Sequence, residues 1–576
     1  MPIDDQDPRS KERFQWIEKF RKVKPMILES PKTSAQHDAT PRTRTREVTS
    51  GLEPYTGPWE EAQARHLLAR TLFGIKKYEL DHFKGLSAGE AVDKILTPSE
   101  PPPPPVNDYN GIEADAVDPN VKLGESWLQA PHGGDKEGYR VVSLKTWQIK
   151  NIIRQETNIH EKMILFWNNL LVTKVWDVYI AKASFHYYDM LRRNALGNYK
   201  SLIRELTLDP SMLIFLNGTK NAKGAPDENF GRELQELFCI GKGPGSKYTE
   251  GDVQAAARVL TGWGIDWTPY DNAGTFKAGF YADRHDDTDK QFSSFYNNKI
   301  ITGNGANELD DLLDMIIGHE ETSKYICRRL YSFFVYNDIS ETVEQNVIEP
   351  LAEIFRSNDY EITPVLRALF TSEHFYDPLN KGVLIKSPAE HLLGLWKTFD
   401  VKSSNENELP LNYIVRRSMH WHMANLGMEM GDPPNVAGWT PYYQAPQYDK
   451  AWITTDTITK RAITTDSLLY WGFWISSEIK INADIIGFVY KLDDPSNPSE
   501  LLKESATLLL GLDLSDTVMN NLKSVLLSGQ LNDAYWTTAW NDFKASPSDP
   551  NKKSIVQSRL QATFKQMLQL GEYHLM

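Results

Sequence analysis

Helix punctuation recurs along most of this 576-residue chain and constrains its fold more than any other feature. Residues 60–73 carry Ala64, Leu67, Leu68 and Leu72 at amphipathic spacing, and the pattern stops at Gly74. Ser87 with Glu90 and Thr249 with Asp252 read as capping boxes, in which a hydroxyl accepts from an orphan amide and the acid answers back. Ser387 with Glu390 repeats the pattern, with Pro388 at the favoured first helical position. Residues 143–172 read as one long, mostly buried helix or two shorter ones. Runs of alternating β-branched residues are scarce, so the expected class is all-α: a large multi-helix domain with long irregular loops and little or no β-sheet. Pro101 to Pro105 form a stiff spacer unfit for helix or central strand. Around 268–307 and 431–452 the helical pattern gives way to irregular sequence, and interruptions of that length inside a compact domain are more often functional than accidental.

Three segments follow from this pattern: a polar, flexible extension over 1–57, a main helical domain over 58–463, and helices over 464–576 packed on the same core. Near the N-terminus, Lys19, Arg21, Lys22 and Lys24 precede only the apolar tripeptide Met26-Ile27-Leu28. A secretory signal needs a longer apolar stretch, so the expected location is the cytoplasm. No apolar run approaches the roughly 18 residues of a membrane helix. With 63 basic and 77 acidic residues, the net charge of −14 argues against nucleic acid, whose binders present basic surfaces. The two cysteines, Cys239 and Cys327, cannot build a disulfide framework.

Several familiar sites fail on inspection. His160-Glu161 and His319-Glu320 begin zincin-like pairs, but Ile164 and Ser323 stand where the second histidine belongs. Gly241 to Ser246 lacks the lysine-serine ending of a phosphate loop, Gly303-Asn304-Gly305 lacks a third glycine, and no serine-hydrolase elbow is present.

Three constellations remain. Asp227 to Phe238 is the densest: on a helix Glu228, Arg232 and Glu236 stack four residues apart, beside an apolar stripe of Phe230, Leu234, Leu237 and Phe238. Glu233 borders that stripe, and a partly buried glutamate is what general acid/base chemistry requires; an exposed ion-pair helix is the plainer alternative. Glu233, Glu236 and Arg232 are therefore catalytic candidates, with Asn229 a ligand contact. His285, followed by Asp286, Asp287, Thr288, Asp289 and Lys290, offers a base beside carboxylates, or equally a solvated turn. His285 joins the catalytic candidates and Asp286 and Lys290 the ligand contacts; the cofactor stays open, with a divalent metal at His285/Asp286 the less favoured option. The third is the rigid stretch from Asp432 to Trp439, followed by Tyr442, Tyr443, Tyr448 and Trp452. Asn435, Trp439 and Trp452 are candidates for stacking a sugar or peptide, or the tryptophans pin the loop to the core.

Taken together and in order, these blocks resemble the bacterial family designated domain of unknown function 1800. The resemblance is carried by Arg65 to Leu68, Glu161 to Met163 with Phe166-Trp167, Glu228 to Phe238, Tyr248 to Asp252, Leu260 to Trp263, His285-Asp286, Arg328 to Phe334, Ser387-Pro388 and Pro433 to Trp439. It implies a mainly helical fold and no assigned reaction. It also implies a neighbour: members are often encoded beside domain of unknown function 1501, whose members resemble alkaline phosphatases and sulfatases. Many members carry export signals. The family's tryptophan equivalent to Trp167 is usually followed by His-Asn-His, where this chain has Asn168-Asn169-Leu170. The expected function is thus a binding or accessory protein acting with a phosphatase- or sulfatase-like companion or a glycan; the alternative is a hydrolase-like enzyme with a Glu/His/Arg site.

Overall fold

The computed structural model describes residues 48–402, 407–475 and 479–576. Residues 1–47, and with them most of the polar extension, lie outside the described residues. Its last part is tied down: Tyr55 N donates to the Thr371 carbonyl at 2.8 Å, Glu373 N to the Glu53 carbonyl at 2.8 Å, and Val48 is buried.

Helices dominate. The described strands form three two-stranded antiparallel pairs: Trp263–Ile265 with Ala278–Phe280, Lys290–Gln291 with Ile300–Ile301, and Phe473–Trp474 with Lys480–Ile481. The all-α class holds because apolar residues recur at helical spacing along most of the chain. Ser87, Thr249 and Ser387 cap the Ala88–Ile95, Glu250–Val259 and Pro388–Thr398 helices as their sequences predict. The 143–172 stretch resolves into two buried helices, Glu137–Ile153 and His160–Leu170. One cluster of buried side chains extends from Ala64 to Tyr573 and takes in Leu468, Phe488, Trp536 and Phe564 from the C-terminal part. None of the described helices is long and apolar enough to cross a membrane.

One helix departs from its expected geometry. The Glu228–Glu233 helix passes into a π turn over Leu234–Cys239; Arg232 pairs with Glu228 and Glu250, and Glu236 with Lys242. The wider turn shifts the later side chains around the axis, and Gln235, inside it, uses its amide to donate to the Gly231 carbonyl at 3.0 Å.

Candidate functional site

The acidic segment packs along the Glu250–Val259 helix through Gly231, and its Arg232 reaches the helix's first residue, roughly 15 Å at 1.5 Å per residue from the other end, where His285 bonds Thr261. At the first end Arg232 donates from both Nη atoms to Glu250, at 2.7 Å each, and at 2.9 Å to Glu228. Its guanidinium is thus already committed to carboxylates at the surface. Glu236 pairs with Lys242. Glu233 differs: burial, and then the Glu236 charge, push its carboxyl up to about 7, against the pull of Lys242 and Arg232. Its Oε2 is buried and accepts no hydrogen bond. Tyr248, on the same face, is pushed up to about 12 by burial and by Glu236. The structure brings Glu233, Glu236 and Arg232 together, while Asn229 is half-buried and its backbone N–H donates to the Asp227 cap at 2.9 Å.

At the other end His285 is enclosed. Its Nδ1 bonds the Thr261 carbonyl at 2.8 Å and its Nε2 the Glu308 carboxylate at 2.9 Å. Lys290 pairs with the second oxygen of Glu308 and donates to the Asp286 carbonyl. Lys290 and Glu308 are fully buried. Burial raises the Asp286 carboxyl, but Arg258, at 2.7 Å, and Thr288 hold it well below the usual carboxylate range. Every polar group of this set has a partner, so the set reads as an interior brace. No group of three or more His, Cys, Asp or Glu suited to a metal ion occurs among the described residues.

The 432–452 loop folds inward. Trp439 and Trp452 are buried in the core, so neither offers a face to a sugar. Asn169 Oδ1 accepts from Trp439 N at 2.9 Å, and Gly438, at φ +97°, lies against that asparagine, where a Cβ would come within 2.3 Å of the Asn169 carbonyl oxygen. Asn435 is exposed and accepts from Ala437 N at 2.8 Å. Of the three residues after Trp167, Asn169 anchors this loop, Asn168 donates to the Tyr187 hydroxyl at 3.2 Å, and Leu170 is in the apolar core.

Two features escape sequence reasoning. Lys145 is fully buried and pairs with Asp432 at 2.5 Å and Glu429 at 3.3 Å, both also bonded by Trp176. Burial pushes Asp432 up to about 7, whereas Lys145 and His420 outweigh burial at Glu429 and hold it near 2. The available signal was a lysine inside a helix read as mostly buried. The second feature is an aromatic hairpin. Trp263, Trp267, Tyr270, Phe276, Phe280 and Tyr281 surround the Trp263–Ile265 and Ala278–Phe280 strands; Trp267 is 41% and Tyr281 39% exposed. The Tyr281 ring lies over the cross-strand pair Gly264 and Gly279, the space their missing side chains leave. The Lys182 ammonium ties the turn to the body through the carbonyls of Ala130, Pro269 and Gly274. Tyr270 stacks on His132 with centroids 4.4 Å apart. The exposed Asp283, Asp287 and Asp289 follow directly.

Fold and side chains together define a helical protein braced by buried ion networks, with aromatic rings and carboxylates side by side along one surface segment. The chain belongs to the family described as "Protein of unknown function (DUF1800)", which it matches over residues 66–573. No curated protein and no solved structure matches it.

Proposed function

We propose that the protein is a binding module that presents the 263–289 segment to a glycan and serves as accessory to a phosphatase- or sulfatase-like companion. The observation that carries the reading is the partly exposed pair Trp267 and Tyr281 on a braced hairpin beside free-standing aspartates. Sugars stack their apolar faces on such rings and donate hydroxyls to such carboxylates. The companion rests on the family resemblance alone. Titration with oligosaccharides, followed by tryptophan fluorescence, is expected to show saturable binding that Trp267→Ala weakens at least tenfold without altering the melting temperature. Equal binding by wild type and variant would remove the hairpin from the argument. Co-elution with the neighbouring domain of unknown function 1501 protein on gel filtration is expected; clean separation at micromolar concentration counts against the companion.

A second reading is favoured by one group. Glu233, with its unpartnered oxygen and a carboxyl poised near neutrality, suits proton transfer. Arg232 and His285 are committed elsewhere, so this reading assigns the chemistry to Glu233 with Glu236, Lys242 and Tyr248 around it. Should turnover of a sulfate or phosphate ester be found, Glu233→Gln is expected to lower it by about 10²–10⁴-fold; an unchanged rate refutes it.

A further inference from the structure

The chain holds three Asn-Gly pairs: Asn110-Gly111, Asn217-Gly218 and Asn304-Gly305. An asparagine before glycine is open to a reaction with its own backbone, because the next residue has no side chain to shield its nitrogen and the chain there turns freely. That nitrogen can attack the side-chain amide carbon. The fold treats the three pairs differently. At the first, Asn110 Oδ1 accepts from Asp118 N at 2.9 Å, its Nδ2 donates to the Val121 carbonyl at 3.4 Å, and Gly111 N is committed to the Ala116 carbonyl at 3.0 Å. At the second, Gly218 is buried against Leu213, where a Cβ would meet that side chain at 2.6 Å, so the backbone has little room to swing.

The third pair is held by neither device. Asn304 is exposed, and its side chain is reached only by Asn307 Nδ2, at 3.5 Å. Gly305 N donates to nothing among the described residues, and a Cβ there would meet only the Phe280 ring, at 3.6 Å. The neighbour of this loop makes the position consequential. Asn304 N donates to Glu308 Oε1 at 2.9 Å, the same oxygen that meets His285 Nε2, while the other Glu308 oxygen pairs with Lys290. The loop thus completes the shell of the interior brace.

We infer that Asn304 is a site of spontaneous deamidation, and that its conversion loosens the Glu308 brace. The Gly305 nitrogen gives up its proton and bonds to the Asn304 Cγ, the Cγ–Nδ2 bond breaks, and ammonia leaves behind a cyclic imide. Water then opens the imide at either carbonyl, one water consumed for each ammonia released. Opening at the backbone carbonyl leaves isoaspartate, in which the main chain runs through Cγ. That product lengthens the main chain by a methylene beside the Asn304 N–H bond and sets a second negative charge near Glu308, where like charges oppose each other. The inference depends on none of the functional readings above.

The test is a peptide map of the full chain, kept warm in mildly alkaline buffer, sampled over days and digested in heavy-oxygen water, whose label marks conversions that arise only during digestion. Asn304 is expected to convert roughly tenfold faster than Asn110 and Asn217, because those two must first open locally, with isoaspartate the main product. In urea the three are expected to convert alike. The aged wild type is expected to melt on the order of 1–2 °C below fresh protein. An equally aged Asn304→Gln variant, whose longer side chain closes the ring poorly, is expected to keep its melting temperature. The site is overturned if Asn304 converts no faster than the other two in the folded chain, or if the same ranking persists in urea, which would trace it to sequence alone. The loosening is overturned if the aged wild type melts where fresh protein does, or if aged Asn304→Gln loses as much.

Discussion

The two ends of the Glu250–Val259 helix carry the same residue types to opposite effect. At one end Lys290, Glu308 and His285 close on one another in the interior, and each charge is answered. At the other Arg232 and Glu250 meet in solvent, while Glu233, half-buried between them and Tyr248, keeps an oxygen that nothing bonds. The difference lies in the number of partners. A saturated network holds a fold together, and an unsaturated carboxylate retains the capacity to exchange a proton.

That contrast can be broken most forcefully at Glu308. Glu308→Ala leaves Lys290 buried and unpaired and is expected to cost about 3–5 kcal/mol in urea denaturation. The double variant Glu308→Leu/Lys290→Met sharpens the point, because with both charges gone most of that loss is expected to return. Glu233→Gln probes the other end. The folded-state value near 7 exceeds the ordinary 4.5, so the folded protein keeps a proton the unfolded chain has released, and stability falls as pH rises through that window. The glutamine variant lacks this loss and is expected to gain on the wild type between pH 5 and 8, by on the order of 1 kcal/mol after solvent screening of a half-exposed group. A difference that does not change with pH would show that Glu233 titrates normally. Arg232→Ala, at the surface, is expected to cost less than about 1 kcal/mol, an amount that added salt erases.

Much of the scaffold was legible in the sequence because helix signals are local. Ser87, Thr249 and Ser387 sit three residues before the acids that complete their boxes, so each start could be read without knowledge of the fold. The π turn after Glu233 could not, since no residue type demands it and tertiary packing decides it. Lys290 and His285 were visible as a pair of chemistry-bearing residues; Glu308, which makes them a brace, lies 23 residues beyond His285 and only the folded chain brings it near. The aromatic residues from Asp432 to Trp452 suggested a platform, and burial of Trp439 and Trp452 turned them into core. The exposed rings came instead from the 263–281 hairpin, whose glycines make room for Tyr281.

The contact of Gly438 with Asn169 ties two distant stretches of sequence into one unit of inheritance. A side chain at position 438 would enter the space of the Asn169 amide and carbonyl, and a different residue at 169 would leave the Trp439 amide without its acceptor. Position 438 is therefore closed to any side chain whatever residue stands at 169, while position 169 is held by the acceptor it supplies. In a library randomised at both sites, surviving clones should keep glycine at 438 whatever stands at 169, because the backbone carbonyl and the positive φ remain, and should favour at 169 a side chain with an oxygen for the Trp439 amide.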